Sequence, residues 1–430
     1  STNHWSLSIG SITTFERSPK GCVMVFSSTK GTSASAPSAS AFRATLPRRG
    51  SSARVITARP SYSRVKSVLQ AIKLHPELKL QVVVAASALL NRYGNAIDFI
   101  KADGFDIDAK VFSVLEGENT TAAAKTTGLG IIELSSVFEN LKPDIVVTVA
   151  DRFETISTAI AASYMNIPLA HLQGGEVTGN IDEKVRHAIT KLADYHFVSS
   201  DDAFNRVKKL GEEENSIYNT GCPSIDLAVP VLNKKPLSFN PYKKYGGVGH
   251  EPDYSLEYIV VMQHPDTTQV DKSRIQIEET LKAIDELNIP TFWFWPNIDA
   301  GADGTSTGIR AYREYHKLEH VHFFKNMSSE DFLELIYNSK VLVGNSSVGI
   351  REAAFLGVPV VNIGDRQHRR LRAENVLDVD HDKNAIKNAI NLQKYKSLES
   401  SELYGKGNSG EKIADLLSRV NFKFHKTIVY

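Results

Sequence analysis

From Val55 onward, short β-branched runs alternate with stretches of helical period, and this series occurs twice along the chain. Val55-Ile56-Thr57 reads as a strand and Ser63 to Leu74 as an amphipathic helix. Then come a strand over Leu80 to Val84, a helix through Asn95 to Ala102, a strand around Lys110 to Val114, and a long helix over roughly Ala122 to Leu141. Asp144 to Val149 is apolar without alternation, as expected of a parallel strand buried on both faces. Strand, helix, strand at this spacing means right-handed βαβ units.

The pattern loosens between Asp226 and Glu257, where Pro230, Pro236, Pro241, Pro252 and Gly246-Gly247 cluster, and this stretch reads as an interdomain linker or long loop. A second series follows in Tyr258 to Met262, Thr291 to Trp295, His320 to Phe324, Val341 to Val343 and Val358 to Ile363. The fold class is therefore α/β, with two doubly wound Rossmann-like domains facing a cleft, an architecture like that of the B-type glycosyltransferases. The expected division is 54–235 and 236–430, with the last helix packing back on the first domain. Ligands of such sheets bind beyond the carboxyl ends of the strands.

Composition removes several classes of partner. With 50 basic and 49 acidic side chains, the net charge of +1 gives no electrostatic case for nucleic acid or an anionic membrane. No apolar run is long enough to span a bilayer. Two cysteines, Cys22 and Cys222, offer neither a disulfide framework nor metal-ligand spacing, which fits a reducing, cytoplasmic setting. Residues 1–53 are Ser-rich, basic and nearly free of acids. They read as a transit peptide for organelle import, or equally as a disordered tail or added leader.

The informative residues follow strands. Val341 to Val343 runs into Gly344-Asn-Ser-Ser-Val-Gly-Ile-Arg-Glu352, with Ser346 and Ser347 at a helix start, where free N–H groups and the helix dipole favour a phosphate. Glu352, further along, is placed to accept from ribose hydroxyls. The alternative is an ordinary Ser N-cap with an exposed Glu. The next strand leads to Asp365-Arg-Gln-His-Arg-Arg-Leu-Arg-Ala-Glu374, whose arginines suit a diphosphate or a solvated loop. Two such loops on adjacent strands favour a nucleotide site.

In the first series, the strand ending at Val149 delivers Asp151-Arg152, and Pro168 to Leu172 delivers Gln173-Gly-Gly-Glu176 and then Asp182-Glu183-Lys-Val-Arg186. Carboxylates gathered with arginines at strand ends fit acid/base chemistry beside a phosphate leaving group. Asp182 occupies an expected N-cap with Arg186 one turn on, and Glu183 reads as structural. At Asp151, a buried strand end is a costly place for an idle charge.

From about Val55 to Leu417 the chain resembles the UDP-N-acetylglucosamine 2-epimerase family, specifically its hydrolysing branch from sialic and related nonulosonic acid pathways. The resemblance rests on Ile56-Thr-Ala-Arg-Pro-Ser-Tyr-Ser63, Asp151-Arg-Phe153, Gly174-Gly-Glu-Val177 with Ile181-Asp182, and Arg186-His-Ala-Ile-Thr-Lys191. It continues in Thr220-Gly-Cys-Pro-Ser224, Gln263-His-Pro265, Pro296-Asn-Ile-Asp-Ala-Gly301, Gly344-Asn-Ser-Ser347 and Arg372-Ala-Glu-Asn375. It implies UDP contacts at Arg59, Ser63, Arg152, His264, Asn297, Ser346, Ser347, Glu352 and Arg366, and essential carboxylates at Asp151 and Asp182. The implied reaction removes the C2 proton, expels UDP to leave a 2-acetamidoglucal, and adds water to give N-acetylmannosamine. It requires no metal or other cofactor, and the resemblance further implies a homo-oligomer, dimer or tetramer.

Gln173 departs from the pattern, since many relatives carry a third catalytic Glu there and an amide cannot act as a base. Either Asp151 and Asp182 suffice, or Glu176 contributes, or the substrate differs. With Ala58-Arg-Pro-Ser, Gln173 points to relatives acting on UDP-2,4-diacetamido-2,4,6-trideoxyglucose on the legionaminic acid route. A glycosyltransferase of the same architecture and a non-catalytic UDP-sugar sensor are the competing readings. The carboxylates at Asp151 and Asp182 argue against the transferase, and only Gln173 favours the sensor.

Overall fold

The computed structural model describes residues 50–56, 62–90, 96–115, 120–149, 154–178, 181–266, 268–296, 301–420 and 426–429. Fourteen strands among them form two sheets. The first comprises β1 (Gly50–Ile56), β2 (Leu78–Ala85), β3 (Ala109–Val111), β4 (Ile145–Val149), β5 (Leu169–Leu172), β6 (Tyr195–Val198) and β7 (Ile217–Asn219). The second comprises β8 (Val248–Gly249), β9 (Ile259–Met262), β10 (Thr291–Phe294), β11 (Val321–Phe324), β12 (Val341–Gly344), β13 (Val360–Ile363) and β14 (Val376–Val379). Their orders are β3-β2-β1-β4-β5-β6-β7 and β14-β13-β12-β9-β10-β11-β8. Every pairing is parallel except that of β8 with β11. Strand order reverses between β1 and β4 in one sheet and between β9 and β12 in the other, so each domain is doubly wound and opens a crevice there. β1 begins at Gly50, earlier than the Val55 expected from sequence, so the last residues assigned to a leader already lie in the sheet.

Both faces of each sheet are covered, which is why β4 and β12 are wholly buried. On one face of the first sheet, Val68, Leu69 and Ile72 of the helix Lys66–Leu74 pack with Ile413, Ala414 and Leu417 of the last helix, Ser409–Arg419. On the other, Leu134 and Phe138 pack with Ala159, Ala162, Val185 and Ile189. The second sheet is covered on one face by helices Ser273–Leu287, Ala302–Tyr315 and Lys383–Gln393. Residues from Cys222 to Tyr258 help cover its other face, with Ile225, Leu227, Val231 and Tyr258 buried against Phe292 and Phe324. The Pro-rich stretch is therefore not a loose linker. Its short turns carry apolar side chains into the second core, with no periodicity to show it.

The chain crosses between domains twice, and the two crossings are tied together. Cys222 donates its N–H to Tyr404 O at 2.7 Å. The Asp226 carboxylate accepts from Ser409 N at 3.0 Å and Gly410 N at 2.7 Å, satisfying free donors at the start of the last helix.

A second fastening lies under β6. Glu212 accepts from Lys191, His196 and Lys426, the last belonging to the C-terminal stretch that also pairs Val429 with Gly211. Burial alone would raise the Glu212 carboxyl, but these three partners bring it from 4.5 down to about 2. A depressed carboxyl stabilises the fold above its unfolded value and loses that contribution as pH falls toward its folded one. Glu212→Gln is thus expected to lower the melting temperature at pH 7, with the gap from the parent closing between about pH 4.5 and pH 2. A gap that persisted at pH 2 would assign the loss to packing rather than charge.

Candidate active site

In the second domain, β12 ends at Gly344, whose φ of 133° lets the backbone pass within contact of β9. A Cβ there would lie 2.1 Å from Met262 O. Asn345 then locks the crevice: its amide donates to His264 O at 2.9 Å and its side-chain oxygen accepts from His264 N at 2.8 Å. Ser346 is an N-cap, accepting from Val348 N, and Ser347 follows half-buried. Helix Ser347–Ile350 breaks at Arg351 (φ −109°, ψ −73°) and resumes as Glu352–Phe355. The continuous helix expected here is two single turns, so its dipole contributes little and local donors carry any anion affinity. Glu352 is 5% exposed, which rules out the expected alternative of a solvent-facing residue. Its Oε2 has no hydrogen-bond partner among the described residues.

The arginine-rich loop after β13 is only partly available to a ligand. Arg372 binds Asp378 and the carbonyls of Gln367 and Arg370, whereas Arg366 reaches Asn345 O at 3.4 Å beside the serine loop.

In the first domain, β5 hands over to a tight turn in which Gln173 (φ 63°) and Gly175 (φ 77°) take left-handed conformations. A side chain on Gly175 would strike Ala203 O at 2.4 Å, so only glycine fits. Gln173 is 2% exposed and donates from Nε2 to Cys222 Sγ at 3.0 Å. The turn drives Glu176 into the second domain, where its carboxylate lies 3.4 Å from Arg351 and 3.3 Å from Arg370. Burial favours the neutral acid, but the charges of Arg351, Arg370, Arg186 and Arg64 outweigh it and hold Glu176 below its ordinary value. Both its oxygens face guanidinium groups.

Helix Ile181–Leu192 starts two residues earlier than expected, so half-buried Asp182 sits in its first turn and not at its N-cap. Glu183 accepts from Thr178 N at 2.6 Å and from Arg186 at 3.2 Å. Arg186, 1% exposed, also donates to Glu176 O at 2.8 Å and Thr178 Oγ1. Arg186 therefore ties Glu176 and Thr178 to Glu183 of the same helix. Ser63 is half-buried, and the neighbouring Arg64 reaches Ser347 Oγ at 3.5 Å from the first domain. Lys66 adds another interdomain link, pairing with Asp103 at 2.7 Å and with Glu330 of the second domain. Arg59, Asp151, Arg152 and Asn297 lie outside the described residues. By sequence, the first three directly follow β1 and β4, the strands flanking the first domain's crevice. Asn345, Arg351 and Arg370 are the site-building residues that the sequence did not single out, although all three stand inside its motifs.

A family model described as UDP-N-acetylglucosamine 2-epimerase matches residues 70–418. The UDP-N,N'-diacetylbacillosamine 2-epimerase (hydrolyzing) of Legionella pneumophila is 34% identical over 84% of this chain and 94% of its own length. The polysialic acid biosynthesis protein P7 of Escherichia coli is 35% identical, covering 79% and 84%. In fold, the UDP-GlcNAc 2-epimerase of Neisseria meningitidis, solved bound to UDP-GlcNAc, superposes with a TM-score of 0.72 at 17% identity over 85% of this chain and 99% of that one. With a match across most of its length and relatives above 30% identity, the chain belongs to the UDP-N-acetylglucosamine 2-epimerase family.

Proposed function

We propose that this protein hydrolyses a UDP-2-acetamido-2-deoxy sugar with inversion at C2, releasing UDP and the free epimer. The observation that carries this reading is the meeting of two strand-end loops across the cleft. The Ser346–Ser347 loop of one domain is tied through Arg351 to the Gln173–Glu176 turn of the other, with Asp182 just beyond. In this reading Ser346, Ser347, Arg366, Arg59 and Arg152 hold the diphosphate, while His264, Asn297, Ser63 and Glu352 hold the nucleoside. Asp151 and Asp182 form the acid/base pair. One takes the C2 proton, and the C–H electron pair becomes the C1–C2 double bond as the C1–O bond to UDP breaks. Water then adds, its hydroxyl to C1 and a proton to the opposite face of C2. Gln173 orients the acetamido group or the water. We further place the protein in the cytoplasm as a homo-oligomer.

Two substrates compete. UDP-N-acetylglucosamine would give N-acetylmannosamine, whereas Gln173 favours UDP-2,4-diacetamido-2,4,6-trideoxyglucose. Two hydrolysing relatives, at 34% and 32% identity, are named for diacetylbacillosamine. Parallel incubations with each are expected to accumulate UDP and free 2-epimer together, faster from the true substrate. Recovery of an epimerised UDP-sugar without free sugar would overturn the proposal.

Glu352→Ala is expected to weaken UDP binding by about tenfold to a hundredfold, equivalent to roughly 1.5–3 kcal/mol for a charge-assisted hydrogen bond. Calorimetric titration with UDP measures it. Unaltered affinity would leave Glu352 a buried partner of Arg351, 3.9 Å away, and nothing more.

A further inference from the structure

Glu176, Arg351 and Arg370 are all buried, yet they come from different domains. Arg351 is also the residue at which the serine-loop helix breaks, and its other nitrogen donates to Ser347 Oγ at 2.9 Å. Arg370 binds the first domain a second time, donating from Nε to Val177 O at 3.2 Å. One carboxylate on a turn made rigid by Gly175 thus gathers two guanidinium groups from the opposite domain, and one of these grips a hydroxyl of the serine loop.

We propose that Glu176 is a positioning residue that couples closure of the two domains to placement of the Ser347 hydroxyl, acting through Arg351 and Arg370. The proposal rests on the reading of the serine loop as the diphosphate site. Its physical basis is the asymmetry of buried ion pairs. An intact pair adds little net stability, but losing one partner strands the others as uncompensated charge. When the domains part, water solvates all three groups. When they close, Glu176 is the carboxylate that both arginines are buried against, so closure and the Arg351 geometry arise together. Without the carboxylate, Arg351, Arg370 and the adjacent Arg186 repel one another, and the closed arrangement is disfavoured.

The test compares the parent protein with Glu176→Gln and with the double variant Glu176→Gln/Arg370→Gln, which removes one charge of each sign. Glu176→Gln is expected to lower kcat about tenfold to a hundredfold, the scale of a small misplacement of reacting groups. The pH profile should keep both limbs, and amide hydrogen exchange should rise in both 173–178 and 347–351. The double variant should recover part of the turnover and part of the protection. Two results would overturn the proposal. One is a lost pH limb with unchanged exchange, which would make Glu176 a catalytic base. The other is a double variant no better than the single. If the parent fails to bind UDP, the diphosphate reading falls, but the exchange data still judge the coupling between domains.

Discussion

Asp182→Asn is expected to cut turnover by at least about a hundredfold while leaving UDP affinity within about twofold, since an amide keeps the shape but cannot move a proton. Asp182 also occupies the first turn of helix Ile181–Leu192, where a negative charge favours the helix by roughly 0.3–1 kcal/mol. A purely helix-stabilising role would therefore lower the melting temperature slightly and leave kcat nearly intact. Steady-state kinetics beside thermal unfolding separates the two. Asp151→Asn should show the same kinetic loss, and Gln173→Ala a smaller one, because it removes orientation and not proton transfer. Retention of more than about a tenth of the parent kcat by Asp182→Asn would remove it from the acid/base pair.

The second large effect is expected from Gly344→Ala. The new methyl would meet Met262 O at 2.1 Å and Met262 C at 2.5 Å, both backbone atoms of the neighbouring strand. The φ of 133° is itself poorly accessible to alanine. Strain and overpacking together predict a loss of roughly 2–6 kcal/mol. It falls where β9 and β12 part, so the Asn345–His264 lock should fail and UDP binding with it. Gly128→Ala is the matched control: its Cβ would meet nothing within 4 Å in the helix Thr120–Leu141, and alanine there should be neutral or stabilising by up to about 1 kcal/mol. Equal melting temperatures for Gly344→Ala and the parent would show that β9 and β12 can separate without loss.

How much of this was readable in the sequence varied with how local the cause was. β4 and β12 could be read directly, because burial on both faces writes a continuous apolar run. β6 could not. Its His196 looks unsuited to a core until Glu212 and Lys426 are brought to it. β14 is half-exposed at a sheet edge and carries a weak apolar signal. The serine loop was placed correctly by its strand and its glycine, but the helix break at Arg351 was not visible. That break accompanies an ion pair with Glu176, 175 residues away, which no local spacing can encode. The arginines after β13 were legible as a cluster, yet which of them bind the protein itself depended on Asp378 and Glu176 in the folded chain.

Among the described residues the last helix, Ser409–Arg419, seals the apolar face of Lys66–Leu74, the first helix of the first domain. On the ribosome, this face is made early and its cover late, with the whole second domain translated in between. The first domain emerges with Val68, Leu69 and Ile72 lacking Ile413, Ala414 and Leu417, which cover them in the finished protein. Such a nascent chain invites chaperone holding or aggregation. The second domain, whose core is drawn from Cys222 to Tyr404, has no such debt and can fold first, ahead of the domain that precedes it in the chain.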